Sequence, residues 1–287
     1  VPAFAPRFAV AVLLACGVAG CTNSEQEPST IVVGSSDDVR GELLAEIYSG
    51  ALRSTGADVR IDARIGDRPM YLEALDRGEV DLVPDLTGEL LTTFDSTSTA
   101  TDAEDVFVDL NRSLPAGLSV TDFATAEDRR AIAVSPSGPL ADAAAVPDIA
   151  PRCGESTVVV GEADVAALGT LEARYGCVFS SVLTVPEEQE VVDKIADGSA
   201  DVAVIRTASA GPGATDLTVL SDSEEVFAAQ NVVPLFRDGV LSDNEIRSFS
   251  VVAGELATAD LADMIGEVRG GESSADVAAR WLGEHNL

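Results

Sequence analysis

The chain has 287 residues, a formal charge of −31 and 46% hydrophobic against 23% charged residues. That balance belongs to a globular protein with a large core rather than a disordered one. A field of such strongly negative sign repels phosphate backbones and excludes nucleic acid as a partner.

The N-terminal residues read as a targeting segment. Arg7 precedes an apolar run from Phe8 to Ala19, which has the length of a signal-peptide core and is short for a membrane span. The run ends in Val18-Ala19-Gly20-Cys21, which resembles the bacterial lipobox, whose cysteine is lipidated and becomes the mature N-terminus. Leu13-Leu14-Ala15-Cys16 is a poorer rival, and a plain secretory signal is the alternative. The expectation is therefore a lipoprotein signal peptide over residues 1–21, a flexible tether over 22–30, and a soluble body behind it.

From residue 30 strands and helices alternate. "TIVVG" is a buried strand, Asp37-Asp38 cap a helix, "ADVRIDARI" is a strand and "PMYLEALDRG" a helix stopped by Gly78. "VDLV" is the next strand, expected to end at Pro84, which has no N–H for a ladder. Thr87 is the expected cap of the following helix, leaving free N–H groups above the strand end. After "AIAV", a second block repeats the pattern: "STVVVG" strand, "EADVAALGTLEARYG" helix, "VFSSVLTV" strand, "EEQEVVDKIADGS" helix and "ADVAVIR" strand. Both blocks share a Gly-x-x-Asp step, at Gly78–Asp81 and Gly198–Asp201. The C-terminal third reads as three helices, each opening on a Ser, Thr or Asp cap.

This rhythm predicts two α/β lobes with parallel sheets, joined by two crossings that form a hinged cleft. Cys153 and Cys177, the two cysteines of the body, are expected to form one disulfide in an exported protein. The sole histidine, His285, lies near the C-terminus, so neither a histidine-based triad nor a multi-histidine metal site is expected. No nucleophile elbow or phosphate loop is present, and no enzyme, metal or cofactor is expected.

The stretches "VVGSSDDVRGELLAEIYSGAL", "ALDRGEVDLVPDLTG", "DRRAIAV", "LEARYGCVF", "GSADVAV" and "FAAQNVVPLFR", in that order, resemble the substrate-binding lipoproteins of ABC importers for osmoprotectants, the OpuAC-like binders of glycine betaine, choline and carnitine. The resemblance implies a two-lobed periplasmic-binding-protein-like fold of type II with two hinge crossings. Lobe 1 is expected over residues 31–124 plus 235–287 and lobe 2 over 125–234. The implied protein is a monomer, lipid-anchored on the outer face of the cytoplasmic membrane, that delivers a small solute to a permease and its ATPase. It touches the membrane through its anchor alone.

The family's aromatic cage holds a quaternary ammonium by cation–π attraction. Matched without gaps, this chain has Leu86, Arg130, Arg206 and the run Ala229-Gln230-Asn231 at the cage positions, with Asp128 kept beside Arg130. Two arginines facing one cleft repel an ammonium and suit oxygen-rich groups. The alternative is that they point outward and pair with acids. The expected contacts are Ser36, Asp37, Leu86 and Thr87 from lobe 1, and Asp128, Arg130, Arg206, Gln230 and Asn231 from the crossings and lobe 2. The three tyrosines, Tyr48, Tyr71 and Tyr175, read as helix-packing residues. The expected ligand has diverged from betaine toward an anionic or polyhydroxylated compound. A ligand-sensing or envelope-interaction lipoprotein that keeps the fold without transport is the alternative, and a structural lipoprotein a third.

Overall fold

The computed structural model describes residue 1, residues 30–210 and residues 216–287. The signal-peptide, Cys21 lipidation and tether readings lie outside the described residues. Among these, no helix is long and apolar enough to cross a membrane.

Two five-stranded sheets form the scaffold. The first runs in the order β2 (Val59–Gly66), β1 (Ile31–Ser36), β3 (Leu82–Leu86), β10 (Val232–Arg237) and β4 (Leu118–Val120). The second runs β7 (Ser181–Val185), β6 (Thr157–Gly161), β8 (Val202–Arg206), β5 (Arg130–Val134) and β9 (Thr218–Val219). Each has a parallel core, β2-β1-β3 and β7-β6-β8, extended by an antiparallel strand from the other side of a crossing. Both faces of each sheet are covered at its centre, so the inner strands β1, β3, β10, β6 and β8 are largely buried, while the outer strands β2 and β7 are exposed or half-buried at most positions. In lobe 1, α1 (Val39–Ser54), α8 (Asp243–Glu255), α9 (Thr258–Arg269) and α10 (Ser274–Glu284) cover one face. There Tyr48 and Phe249 meet edge to face with ring centres 5.0 Å apart. Helices α2 (Arg68–Arg77), α3 (Thr87–Phe94) and α4 (Ala103–Ser113) cover the other. Lobe 2 carries α5 (Val146–Ile149), α6 (Ala166–Tyr175) and α7 (Glu188–Ala196).

The repeated Gly-x-x-Asp step does the same job twice. Gly78 and Gly198 adopt φ of 68° and 77°, the left-handed turn that lets the chain leave α2 and α7. Asp81 then donates its N–H to Val32 O at 2.7 Å and accepts the Val32 N–H on its carboxylate at 2.9 Å. Asp201 repeats this with Thr157 at 2.8 Å in both directions. The step pins the start of the third strand to the first in each lobe. Cys153 and Cys177 form the expected disulfide in lobe 2, with their Cα atoms 5.3 Å apart.

Three local expectations are corrected. Strand β3 does not end at Pro84 but runs through it to Leu86, opposite β10, with Pro84 facing Pro234. Hydrogen bonds at 81/237 and 87/231 set the alternation, which makes 84/234 a non-hydrogen-bonded pair. Neither missing N–H is wanted there, so the two prolines tolerate each other. Thr87 is the first residue of α3 rather than its cap, because that helix is capped from across the crossing, as described below. Helix α9 opens after Ala257 instead of on a polar cap. The Thr258 hydroxyl is used elsewhere, accepting the Glu127 N–H at 3.0 Å. The return strand, β10, begins at Val232.

The crossings lie side by side. Glu127 and Asn231 form an antiparallel bridge, Ala124 N donates to Val232 O at 2.8 Å, and Asp128 N donates to Gln230 O at 2.9 Å. After β8 the chain dips back toward lobe 1. Ala208 joins that lobe's core, and Arg269 of α9 donates to Ser209 O at 2.6 Å.

Candidate functional site

A cavity of about 480 Å³ opens between the lobes. Lobe 1 lines it with the ends of β1 and β3 and the first turns of α1, α2 and α3, and lobe 2 with Ala163 and Arg206. This is the carboxyl end of the parallel strands, where open α/β sheets bind ligands. Three junctions in lobe 1 each place a charged residue in the first helical turn: Arg40 in α1, Arg68 in α2 and Glu89 in α3.

These charges are paired. Arg68 grips Asp85 with Nε and Nη2 at 2.9 and 2.8 Å and gives a further bond to Glu89 Oε2 at 2.5 Å. Tyr71 donates to the same Asp85 at 2.5 Å. The other Glu89 oxygen accepts from Arg206 Nη1 across the cleft at 2.8 Å. Arg206 in turn holds Asp164 of lobe 2 in a fork, at 2.9 and 3.0 Å, and Arg130 shares that carboxylate at 2.5 Å. Arg40 donates to Asp128 at 2.6 Å. Burial alone would raise the Glu89 carboxyl, but Arg206, Arg68 and Arg40 together hold it well below the usual range. Burial and the Asp85 charge push the Tyr71 hydroxyl far up, so it stays a donor.

Glu188 behaves differently. Burial pushes its carboxyl up to about 7; Asp164 and Asp128 add to the rise, while its hydrogen bond from the Arg206 amide (2.9 Å) and the Arg206 charge oppose it. A raised carboxyl contributes stability that is present below the ordinary glutamate range and lost as pH rises through about 7. Glu188→Gln is therefore expected to match the parent near the acid end of the range. Above neutrality the variant should be more stable by about 1–2 kcal/mol, a figure reduced for partial solvent screening. Urea melts at both ends of that range check this, and equal stabilities above neutrality would refute it.

The expected contact residues separate into groups. Ser36, Asp37 and Arg206 line the interlobe cavity. Leu86 is fully buried in the lobe 1 core. Thr87 and Gln230 tie α3 to the return crossing: Thr87 N donates to Asn231 O, Asn231 N donates to Thr87 Oγ1, and Glu89 N donates to Gln230 Oε1 at 3.0 Å. Two of the N–H groups expected to stand free, those of Thr87 and Glu89, are thus taken by the chain itself. Gly88 is required by this approach, since a Cβ there would lie 2.5 Å from Ala229 O. Asn231 donates to Ala124 O, and its buried Oδ1 has no partner among the described residues. Asp128, fully buried, accepts from Ala208 N, Ser209 N, the Ser209 hydroxyl and Arg40. Arg130 lines a second cavity of about 150 Å³ inside lobe 2, beside Phe227 and Asp222.

Tyr71 packs in the lobe 1 core, as read from the sequence, and also lines the interlobe cavity. Helical spacing marked its buried face but carries no sign of the Asp85 acceptor beyond the next turn. Arg40, Arg68, Tyr71, Asp85, Glu89, Asp164 and Glu188 were not among the contact residues expected from the sequence. For Arg40, Arg68, Glu89 and Glu188 the signal was position, a charge in the first helical turn after a strand. Among the described residues no cluster suits a metal ion.

The fold and the interlobe cavity define a two-lobed, type II solute-binding protein. The family "substrate binding domain of ABC-type glycine betaine transport system" (OpuAC) matches residues 29–284. The chain belongs to that family, whose members are binding proteins rather than enzymes, and membership brings a small-molecule ligand, an ABC transporter partner and an extracytoplasmic place. Among solved structures, a "glycine betaine/carnitine/choline ABC transporter" superposes with a TM-score of 0.78 at 16% identity, covering 89% of this chain and 98% of that one. Apo YehZ from Escherichia coli gives 0.72 at 21% identity, with 89% and 98% covered. Lactococcal OpuAC, in its closed form with glycine betaine, gives 0.58 at 13% identity, with 90% and 96% covered. At these identities the likeness is one of fold. The comparison with curated proteins finds no match.

Proposed function

We propose that the chain is the solute-binding lipoprotein of an ABC importer, anchored through Cys21 on the outer face of the cytoplasmic membrane. It works as a monomer whose lobes, residues 31–124 with 235–287 and residues 125–234, close on a small polyhydroxylated solute and then dock on a permease. The observation that carries this is the interlobe cavity of about 480 Å³, whose wall is charged groups of both signs with Tyr71 as its one aromatic ring. Such a wall offers a quaternary ammonium no cage of ring faces. An anion is also disfavoured, because each arginine at the cavity already holds a carboxylate and the wall carries five acids against three arginines. Hydroxyl groups both donate and accept, and so match fixed donors and acceptors without bringing charge of their own.

The test is thermal unfolding of the purified protein against sugars and polyols, small organic anions, phenolics, glycine betaine, choline and carnitine. A ligand at a hundred times its Kd stabilises by about 2.7 kcal/mol, a rise of roughly 5–10 °C at this size. The expected result is a rise with a polyhydroxylated compound and none with betaine or choline. A rise with the quaternary amines would overturn the proposed ligand class. No rise with any compound would move weight to a lipoprotein that keeps the fold without transport.

A further inference from the structure

Arg206 is the one charged side chain that lobe 2 contributes to the cavity wall. It is buried to 8% exposure, and its guanidinium lies between two carboxylates from opposite sides of the cleft. Asp164 takes Nε and Nη2, Glu89 takes Nη1, and each acid keeps a second arginine of its own lobe, Arg130 and Arg68 respectively. Without Arg206, Asp85, Glu89 and Asp164 would keep arginine hydrogen bonds from Arg68 and Arg130 alone, three negative charges against two positive, because Arg40, which also acts on Glu89, is bonded to Asp128. The cluster therefore needs one more cation, and the chain supplies it from within.

We propose that Arg206 is a tethered cation: it fills a cation subsite between Glu89 and Asp164, draws the lobes together without a ligand, and bars free cationic solutes from that place. This rests on the reading of the interlobe cavity as the solute site, and it makes Arg206 the residue that decides the charge class of the solute. A side chain already bound to both lobes loses less freedom than a free ion would, so a free cation cannot displace it at ordinary concentrations.

Removal of the tether tests the idea. Arg206→Ala should gain saturable binding of methylguanidinium at millimolar concentration. The readout is a rise of several degrees in its melting temperature over sodium chloride at equal ionic strength, while the parent protein shows none. A folded Arg206→Ala protein without such a cation-specific rise overturns the proposal, as does an equal rise in the parent. A second variant covers the case in which Arg206→Ala does not fold. Glu89→Gln keeps the hydrogen-bonding shape but removes lobe 1's charge on the tether. Its radius of gyration by small-angle scattering should exceed that of the ligand-free parent at unchanged helix and strand content. An unchanged radius overturns the bridging role. Results with sugars and polyols bear on the proposed solute alone and leave this test intact.

Discussion

Asp128→Ala is expected to lose about 3–5 kcal/mol of stability, the cost of breaking one side of a buried ion pair. The carboxylate is fully buried where both crossings and the chain after β8 meet. One oxygen accepts the N–H groups of Ala208 and Ser209, each at 2.9 Å, and the other takes the Ser209 hydroxyl and Arg40 Nη1, each at 2.6 Å. Truncation leaves two buried N–H groups without an acceptor. It also leaves Arg40 with only Asp38, 3.7 Å away. For a protein of this size the melting temperature should fall by on the order of 10 °C, read by circular dichroism. Asp128→Asn keeps an acceptor for the two N–H groups and should lose less. Burial alone would raise the Asp128 carboxyl, but Arg40 and the hydrogen bonds from Ser209 and Ala208 hold it below the usual range. Its contribution is therefore present above the ordinary aspartate range and lost as pH falls through the depressed value. The acid limb of the stability curve should be shallower in Asp128→Ala than in the parent. A variant that melts with the parent would show that the crossings are held by their backbone bonds alone.

Replacing Cys153 and Cys177 together by alanine is expected to cost about 3 kcal/mol on the chain-entropy estimate for a loop of about 25 residues. Both side chains are buried in the lobe 2 core, beside Leu171 of α6 and Val158 of β6. The bond ties the turn before β6 to the end of α6, so reduction frees an edge of lobe 2 while lobe 1 keeps its contacts. Hydrogen exchange should therefore speed up over α6 and β7 and stay unchanged in α1 and α10. Uniform acceleration in both lobes would mean that they unfold as one cooperative unit. No acceleration would mean that apolar packing alone holds that edge.

The alternation of elements, the glycine stops at Gly78 and Gly176, the capping Asp38 and the Gly-x-x-Asp steps are all set by residues within a few positions of one another. Local propensity and periodicity act over that range, which is why the two α/β blocks, the disulfide and the family resemblance were legible from the chain. Where the sequence reading failed, the partner was remote. Pro84 stays inside a strand because Pro234 faces it, 150 residues on. Thr87 is not a cap because Gln230 reaches Glu89 N from a separation of 141 residues. Arg206 was singled out, but its carboxylates were not: Glu89 is 117 residues away and Asp164 is 42. Composition made single arginines and acids look interchangeable in a chain of charge −31. The sequence by itself determined two lobes, two crossings and a cleft at the strand ends. Only the tertiary structure decided which charges meet in that cleft, because ion pairing depends on distances of a few ångströms between residues the chain keeps far apart.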